Sequence, residues 1–273
     1  ADYAFGSGPR AGCWWDETCD LPDFPALETD IACDVAIVGG GFTGLSAALH
    51  LAQAGVDVVV LEAEYVGWGA SGRNGGQIVN GLNASLQTIR KRYGQDTATF
   101  VAGLVQEGGQ IIRERVKTYD IQCDLKEKNI FTGLTSAHMK ELEERQALWK
   151  SYGIDNQEML DKNQLRAHIN SDLYEGGLVD HSGGHMHPLN LALGEAAAFE
   201  KLGGIIYEMS PVTDVDTNAA KPVVKTAKGK MICKTLVLCG NAYLGHVVPA
   251  LTSRVMPVST QVMATKPLGE ELA

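Results

Sequence analysis

In the first third of the chain, the spacing of apolar residues changes from a strand-like pattern to a helical one and back to a strand-like one. Residues 34–39 form a short apolar run, and residues 56–61 form a second one. Between them, residues 43–54 are predicted to form a helix with Leu45, Leu49 and Leu51 on one side. Both runs are apolar throughout, which is typical of parallel strands covered by helices on both faces. The pattern therefore predicts a βαβ unit.

The rest of the chain alternates between helical and strand-like segments. Helices are predicted for four segments: 85–119 with breaks at 93–94 and 108–109, 136–152, 159–169 and 188–202. Strands are predicted for three: 129–133, 205–239 (a strand, a hairpin turning at Lys228-Gly229 and a last strand at 235–239) and 253–265. Residues 1–30 have no regular period. We expect them to form an arm that lies on a domain, with Trp14-Trp15 as its anchor.

Composition restricts the class of protein. The 273 residues are 45% hydrophobic and 21% charged, which excludes disordered and collagen-like chains. The 33 acidic and 23 basic residues give a net charge of −10, so nucleic acid is not an expected partner. Apolar stretches fall short of the ~20 residues that a membrane span needs, and no signal peptide is visible. We therefore expect a cytoplasmic protein without a membrane span.

Two sets of residues raise the question of a metal. The six cysteines lack any C-x-x-C pair and are expected to be reduced structural thiols, although a disulfide between Cys13 and Cys19 remains open. His181, His185 and His187 lie within seven residues, but no acidic or cysteine ligand is placed to complete a site. We predict no metal, and for the histidines a role at the surface or at the rim of an active site.

The segment Gly39-Gly-Gly-Phe-Thr-Gly44 matches G-x-G-x-x-G between the first predicted strand and helix. Gly39 would permit the tight turn, and Gly41 would let a pyrophosphate approach the backbone. Gly44 would allow the helix to pack closely on the strand. Glu62 ends the second strand, where an acidic residue would bind ribose hydroxyls. The spacing therefore predicts a dinucleotide site, and it leaves open whether the dinucleotide is NAD or FAD.

The following segment suggests FAD. Residues 66–77, Val-Gly-Trp-Gly-Ala-Ser-Gly-Arg-Asn-Gly-Gly-Gln, resemble the second flavin loop of FAD-dependent amine and amino acid oxidoreductases of the D-amino acid oxidase superfamily, most closely its γ-glutamylputrescine oxidase branch. The segments around 207–215 and 236–242 also resemble parts of that family that contact FAD. The motif and the resemblance together predict these cofactor-binding residues: Gly39, Gly41, Phe42, Thr43, Gly44, Glu62, Ala63, Gly69, Ala70, Ser71, Arg73, Asn74, Gly75, Gly76, Gln77, Val212 and Gly240.

The resemblance also implies a fold and a domain arrangement. The expected fold is α/β, with an FAD-binding Rossmann-like domain of the glutathione-reductase type and an interleaved α+β substrate domain whose C-terminal part is missing. The expected parts are an arm at 1–33, an FAD-binding domain at 34–82 and 177–250, and an incomplete substrate domain at 83–176 and 251–273. We expect the remainder to be supplied by a longer polypeptide or a second chain.

The implied activity is oxidation of the C–N bond of a small amine, such as a γ-glutamylputrescine-like substrate, with oxygen or an electron carrier as the final acceptor. Two alternatives remain open: a glycine or D-amino acid dehydrogenase, and a flavin-binding subunit without turnover. No catalytic side chain is assigned. Because residues 67–77 contain neither His nor Cys, we expect the FAD to be bound non-covalently.

Overall fold

The computed structural model describes residues 13–245, 247–258, 260, 263, 265, 268 and 269. They form two compact units. The first contains the described residues within 1–75, 121–123 and 187–273, and the second contains residues 76–120 and 124–186.

The first unit is built on a six-stranded sheet. Its strands are β1 (Ile31–Val38), β2 (Val58–Leu61), β7 (Ile205–Tyr207), β8 (Asp214–Asp216), β9 (Val223–Lys225) and β10 (Lys230–Leu238). The order is β7-β2-β1-β10-β9-β8, in which β7, β2, β1 and β10 are parallel and β9 and β8 are added antiparallel. The helices of this unit are α1 (Phe42–Gln53), α6 (Pro188–Lys201) and the short α7 (Pro249–Thr252). The predicted α/β fold with a parallel sheet is confirmed.

Helices on one face and an apolar cluster on the other stabilise this sheet. The helices α1 and α6 pack against each other, and Leu45, Leu49 and Phe199 are fully buried. The opposite cluster includes Leu27 of the arm and the register partners Cys33 and Cys233. Burial raises the pKa of Cys33 to about 12, so this thiol is unreactive at neutral pH. None of the six cysteines forms a disulfide bond in the structure, and this includes Cys13 and Cys19.

The second unit contains a four-stranded sheet and four helices. Its strands are β3 (Gln77–Ile78), β4 (Lys126–Gly133), β5 (Gln157–Asp161) and β6 (Gly176–His185), and its helices are α2 (Leu86–Tyr93), α3 (Gln95–Thr118), α4 (Ser136–Lys150) and α5 (Lys162–Arg166). Strand β6 is central and pairs antiparallel with β4, β5 and β3. Trp149 of α4 is buried in a cluster with Leu86, Ile89 and Ala102, which joins α4 to α2 and α3.

The bounds of these compact units differ from those of the predicted FAD-binding and substrate domains, which stay a prediction. Residues 76–82 and 177–186 were expected in the FAD-binding domain, but β3 and β6 belong to the sheet of the second unit because they pair with each other and with β4. The described residues of 251–273, expected in the substrate domain, lie in the first unit.

The N-terminal arm is anchored by one of the two predicted tryptophans. The Trp15 indole N–H donates to the Asn74 carbonyl oxygen at 3.0 Å, and its ring lies 4.5 Å from that of His187. Trp14 is 44% exposed. The first ten residues of the predicted arm, with residues 11 and 12, lie outside the described part of the chain.

Four element predictions are wrong in part. The predicted break at 93–94 occurs, but α3 continues through Gly108 and Gly109. Residues 159–161 belong to strand β5, and the helix begins after Asp161, whose side chain forms a capping box with Gln164. The segment 235–239 continues β10 instead of forming a separate strand. Within 253–265, the described residues contain no strand, and residues 259, 261, 262 and 264 lie outside them.

Candidate cofactor site

A cavity opens at the carboxyl ends of β1, β2 and β10, where the first βα turn leaves the sheet. Its volume is about 240 Å³. Four separate segments line it: Val38, Gly39, Gly41, Phe42 and Thr43; Leu61, Glu62, Ala63, Trp68, Gly69, Ala70 and Ser71; Ser210, Pro211 and Val212; and Cys239, Gly240, Asn241, Tyr243, Leu244 and Val247. This edge of a parallel sheet is where α/β proteins usually bind ligands.

The first glycine-rich loop is held against the sheet by contacts that exclude side chains. Gly39 has a φ of +112°, and a Cβ there would lie 2.7 Å from the Cys239 carbonyl oxygen. A Cβ on Gly44 would collide with the Gly39 carbonyl oxygen. Helix α1 begins directly after Gly41, so its positive N-terminal end lies at the cavity. Backbone N–H groups at such an end bind phosphate.

Glu62 lies beside this loop as predicted, and its carboxylate already accepts hydrogen bonds. Oε2 accepts the Gly40 N–H at 2.6 Å, and Oε1 accepts the Glu64 N–H at 3.0 Å. Burial raises the pKa of Glu62, while the backbone N–H groups oppose that rise. A carboxylate oxygen has more than one lone pair, so the same group retains acceptor capacity for ribose hydroxyls.

The second glycine-rich loop contacts the first through Ser71. The Ser71 Oγ accepts the Phe42 N–H at 3.0 Å, and it would lie 2.8 Å from a Cβ on Gly41. Because Gly41 itself has no side chain to cap α1, Ser71 caps the helix from another segment. The two predicted cofactor loops therefore form one structure.

Arg73 turns toward Trp68 and not into the cavity. Its guanidinium lies 4.4 Å from the centre of the Trp68 ring, and that ring contacts Tyr243 edge to face at 5.5 Å. Gly69 provides room for this contact, since a Cβ there would lie 3.1 Å from Cε2 of Tyr243. The three side chains join the second loop to the turn after β10.

The structure divides the predicted cofactor residues into two groups. Those that line the cavity are Gly39, Gly41, Phe42, Thr43, Glu62, Ala63, Gly69, Ala70, Ser71, Val212 and Gly240. Those that do not line it are Gly44, Arg73, Asn74, Gly75, Gly76 and Gln77. Gly44 packs beneath the loop as predicted, Asn74 donates to the Ala70 and Ser71 carbonyl oxygens, and Gln77 belongs to β3 of the second unit.

Sequence reasoning missed several lining residues. Trp68 and Tyr243 form part of the wall, and Ser210 is buried beside it, accepting the Leu27 N–H and donating to the Glu208 carbonyl oxygen. An aromatic residue within a glycine-rich loop could have indicated Trp68. No local pattern marks Ser210 or Tyr243, because the fold brings them to the cavity from distant segments.

The three histidines do not form one group. His187 caps α6: its Nδ1 accepts the Asn190 N–H at 3.1 Å, so the neutral ring carries its proton on Nε2, which lies 3.0 Å from the Thr18 Oγ1. His181 lies 3.2 Å from Glu158 in the second unit. Among the described residues, no three His, Cys, Asp or Glu side chains come together as a metal site. In the same residues, no helix has the length and apolar character needed to cross a bilayer.

A parallel sheet with a glycine-rich first turn, an acidic residue ending the second strand and a cavity between them defines a dinucleotide-binding protein. Residues 34–273 match the family of FAD dependent oxidoreductases named DAO, and the chain belongs to that family. Over 251 residues it is 51% identical to the γ-glutamylputrescine oxidoreductase of Escherichia coli, covering 92% of this chain and 59% of that protein. It is 25% identical to the glycine oxidase of Geobacillus kaustophilus over 217 residues, covering 78% of this chain and 56% of that protein. The chain thus spans little more than half the length of these relatives.

Solved structures show the same fold. The crystal structure of glycine oxidase from Geobacillus kaustophilus superposes on this chain with a TM-score of 0.65 at 23% sequence identity, over 80% of this chain and 58% of that one. The L-amino acid deaminase from Proteus myxofaciens superposes with a TM-score of 0.68 at 20% identity, over 81% of this chain and 48% of that one.

The residues at the cavity fit the family's cofactor. The α1 N-terminus suits a pyrophosphate, and Glu62 suits an unphosphorylated ribose, because a 2′-phosphate would meet a carboxylate. The cavity is somewhat smaller than the ~300 Å³ at which pockets for drug-sized ligands begin, so it would enclose one part of a dinucleotide.

Proposed function

We propose that this chain is part of an FAD-dependent oxidoreductase that oxidises the C–N bond of an amine, with γ-glutamylputrescine-like compounds as its substrates. The observation that carries the proposal is the cavity that the first loop, Glu62 and the second loop build at the carboxyl edge of the parallel sheet. The identity to the Escherichia coli oxidoreductase supports the choice of substrate.

The chain's own residues would bind and orient the cofactor. FAD, when bound, supplies an acceptor for the hydride that leaves the carbon next to the amine nitrogen, and water then hydrolyses the imine. The first-turn N–H groups of α1 would bind the pyrophosphate, and Glu62 would bind the ribose hydroxyls. Ser71 would fix the position of the second loop relative to the first. We assign no general acid or general base to any of the side chains that line the cavity.

The test is anaerobic reduction of the FAD-containing protein, made as the full natural polypeptide. We expect γ-glutamylputrescine to bleach the visible flavin absorbance within the turnover time. The similarity to glycine oxidase favours glycine and D-amino acids as second candidates, which belong in the same panel. If no amine bleaches a fully loaded flavin, the protein is a flavin-binding module and the proposal is wrong.

Either oxygen or an electron carrier is proposed as the final electron acceptor. The rate at which the reduced protein is reoxidised in air distinguishes the two. Rapid reoxidation with release of hydrogen peroxide identifies an oxidase. Slow reoxidation that an added dye accelerates identifies a dehydrogenase.

We also propose that the FAD is held without a covalent bond. Residues 67–77 offer no His or Cys, the side chains that tether flavin in related proteins, and the nearest thiol at the cavity, Cys239, has its pKa raised by burial. Acid precipitation should release all of the yellow colour into the supernatant. Colour that stays with the pellet would contradict the proposal.

We propose a cytoplasmic location, which is consistent with six cysteines that form no disulfide bond. Fractionation of the source cells, with a periplasmic marker as control, tests it.

A further inference from the structure

Glu208 lies one residue after β7 and is a buried carboxylate outside the cofactor cavity. It is 1% exposed and does not line the cavity. Its Oε1 accepts the Val66 N–H at 2.6 Å. Burying a carboxylate is unfavourable unless hydrogen bonds compensate for the lost water. The bond to Val66 therefore stabilises this carboxylate and at the same time fixes the backbone that it contacts.

Val66 is the residue at which the second loop begins. It is fully buried, and the N–H of the next residue, Gly67, donates to the Gly40 carbonyl oxygen at 3.0 Å. Gly40 in turn donates its own N–H to the Glu62 carboxylate at 2.6 Å. Two consecutive N–H groups thus attach the start of the second loop to Glu208 on one side and to the first loop on the other.

The backbone on either side of this carboxylate bonds to the segment between β2 and the second loop. The Glu62 N–H donates to the Tyr207 carbonyl oxygen at 2.8 Å, and the Ser210 N–H donates to the Glu62 carbonyl oxygen at 2.9 Å. The Met209 N–H donates to the Glu64 carbonyl oxygen at 2.9 Å. These bonds hold residues 62–64, and the carboxylate extends the same attachment by two residues, to the start of the second loop.

Met209, the residue after this carboxylate, has a strained backbone. Its φ is +47°, in the left-handed region that residues other than glycine rarely adopt, and its side chain is 53% exposed. It lies between two buried polar residues, Glu208 and Ser210. Backbone strain of this kind clusters at ligand-binding sites, so the turn supports a role for Glu208 beyond packing.

We propose that Glu208 is a positioning residue for FAD. By holding the Val66 N–H, it fixes where the second loop starts, and it thereby places Ser71 against the Phe42 N–H at the start of α1. Ser71 lines the cavity and Glu208 does not, so Glu208 acts on the cofactor through the loop. The inference concerns the binding of FAD, the cofactor of the family, and does not depend on which amine is oxidised.

Three substitutions separate the length of this side chain from its charge. Glu208→Gln keeps the length and an accepting oxygen, whereas Glu208→Asp keeps the charge but is one methylene shorter. Glu208→Met keeps the length and has neither the charge nor the oxygen. We expect Glu208→Gln to bind FAD within about threefold of wild type, because it can still accept the Val66 N–H. We expect Glu208→Asp and Glu208→Met to raise the Kd about tenfold.

The measurement is titration of FAD into the apoprotein of the full natural polypeptide, followed by quenching of flavin fluorescence. Phe199→Leu is the matched control, because it removes buried volume from the last turn of α6. The beginning of that helix is the part that meets the second loop, since a Cβ on Gly67 would lie 2.8 Å from Leu189 Cδ1. Phe199→Leu should lower the thermal midpoint and leave the Kd for FAD unchanged.

A double-mutant cycle with Ser71→Ala tests whether Glu208 acts through the second loop. Ser71→Ala alone is expected to weaken FAD binding about fivefold. If both side chains act through the same loop position, the variant that combines Glu208→Met with Ser71→Ala should be weakened about tenfold. Independent effects would multiply to about fiftyfold and would show that Glu208 does not act by placing Ser71.

Several results would overturn the inference. One is a Kd in Glu208→Met equal to that of wild type. Another is retained affinity in Glu208→Asp with a loss in Glu208→Gln, because the charge and not the bond to Val66 would then be the cause. A third is weakening of FAD by Phe199→Leu as large as that by Glu208→Met at the same thermal midpoint, which would mean a structural role alone. If Glu208→Met does not fold, Glu208→Asp replaces it in every comparison.

Discussion

The two glycine-rich loops, residues 39–44 and 66–77, have similar compositions but different relations to the cavity. The first loop reaches the cavity with Gly39, Gly41, Phe42 and Thr43. The second loop lines it only from Trp68 to Ser71, and the following residues up to Gln77 do not. A fixed spacing of glycines therefore predicted a loop in which most residues line the cavity, whereas the segment predicted by resemblance lines it only in part.

The difference has a physical cause. The first loop lies between a strand end and a helix start, so backbone geometry sets the position of every residue in it. The direction of the second loop depends on side chains that it meets: Ser71 against the Phe42 N–H, and Arg73 over the Trp68 ring. Such contacts come from residues that no local pattern relates to one another.

The largest expected effect is at Gly44, where the first loop tolerates no side chain. Gly44→Ala would place a Cβ against the Gly39 carbonyl oxygen, and we expect a loss of about 3 kcal/mol in the free energy of unfolding. The matched control is Gly103→Ala in α3, where a Cβ meets nothing within 4 Å, and which should stabilise by up to about 1 kcal/mol. Chemical unfolding of both variants measures the contrast. Equal free energies of unfolding for Gly44→Ala and Gly103→Ala would show that the first loop can shift to accommodate a methyl group.

The second effect concerns Glu62 and FAD affinity. Glu62→Gln keeps the shape of the side chain but replaces one accepting oxygen by a donor, beside the Gly40 and Glu64 N–H groups. We expect FAD to bind about tenfold more weakly, in line with the loss of a hydrogen bond to a charged group. Glu64→Gln, which does not line the cavity, is the control and should bind FAD as wild type does. Unchanged affinity in Glu62→Gln would contradict the ribose assignment.

A third comparison separates the two halves of the second loop. Ser71→Ala removes the cap on the Phe42 N–H, and we expect FAD to bind about fivefold more weakly, since a neutral hydrogen bond contributes about 1 kcal/mol. Arg73→Met removes the cation from the Trp68 ring, which contributes about 0.5 kcal/mol at an exposed site, and should weaken FAD about twofold. Titration of the apoprotein, followed by quenching of flavin fluorescence, measures both. A larger effect at Arg73 would mean that this side chain contacts the cofactor directly.

The sequence predicted the parallel sheet, α1, α6 and the first loop because their signals are local: continuous apolar runs, helical spacing and a glycine motif at the junction. It failed where tertiary contacts override local preference. Gly108-Gly109 is typical of a helix break, yet a Cβ on Gly109 would lie 2.9 Å from the Asn80 Oδ1, so this glycine allows a close approach within a continuous helix. Residues 159–161 form a strand because β6 offers them hydrogen-bonding partners.

The cofactor site shows the same limit. Glycine spacing and one acidic residue were sufficient to place the first loop and Glu62. Tyr243 and Ser210 reach the cavity only because β10 and the segment after β7 end beside β1 and β2, and that arrangement follows from strand order and not from any motif.

The smallest effect is a pH dependence that separates Glu62 from the other carboxylates. Burial raises the pKa of Glu62 above its ordinary value of 4.5, so the folded state holds this proton more tightly than the unfolded state does. The stability that this contributes is fully present below pH 4.5 and is lost as the pH rises through the raised pKa. Glu62→Gln does not titrate, while all other groups are common to both proteins. The stability of wild type relative to Glu62→Gln, measured by urea unfolding of the FAD-free proteins at a series of pH values, should therefore fall as the pH rises above 4.5 and then level off. A relative stability that rises with pH would show that the backbone N–H groups of the first loop outweigh the burial of this carboxylate.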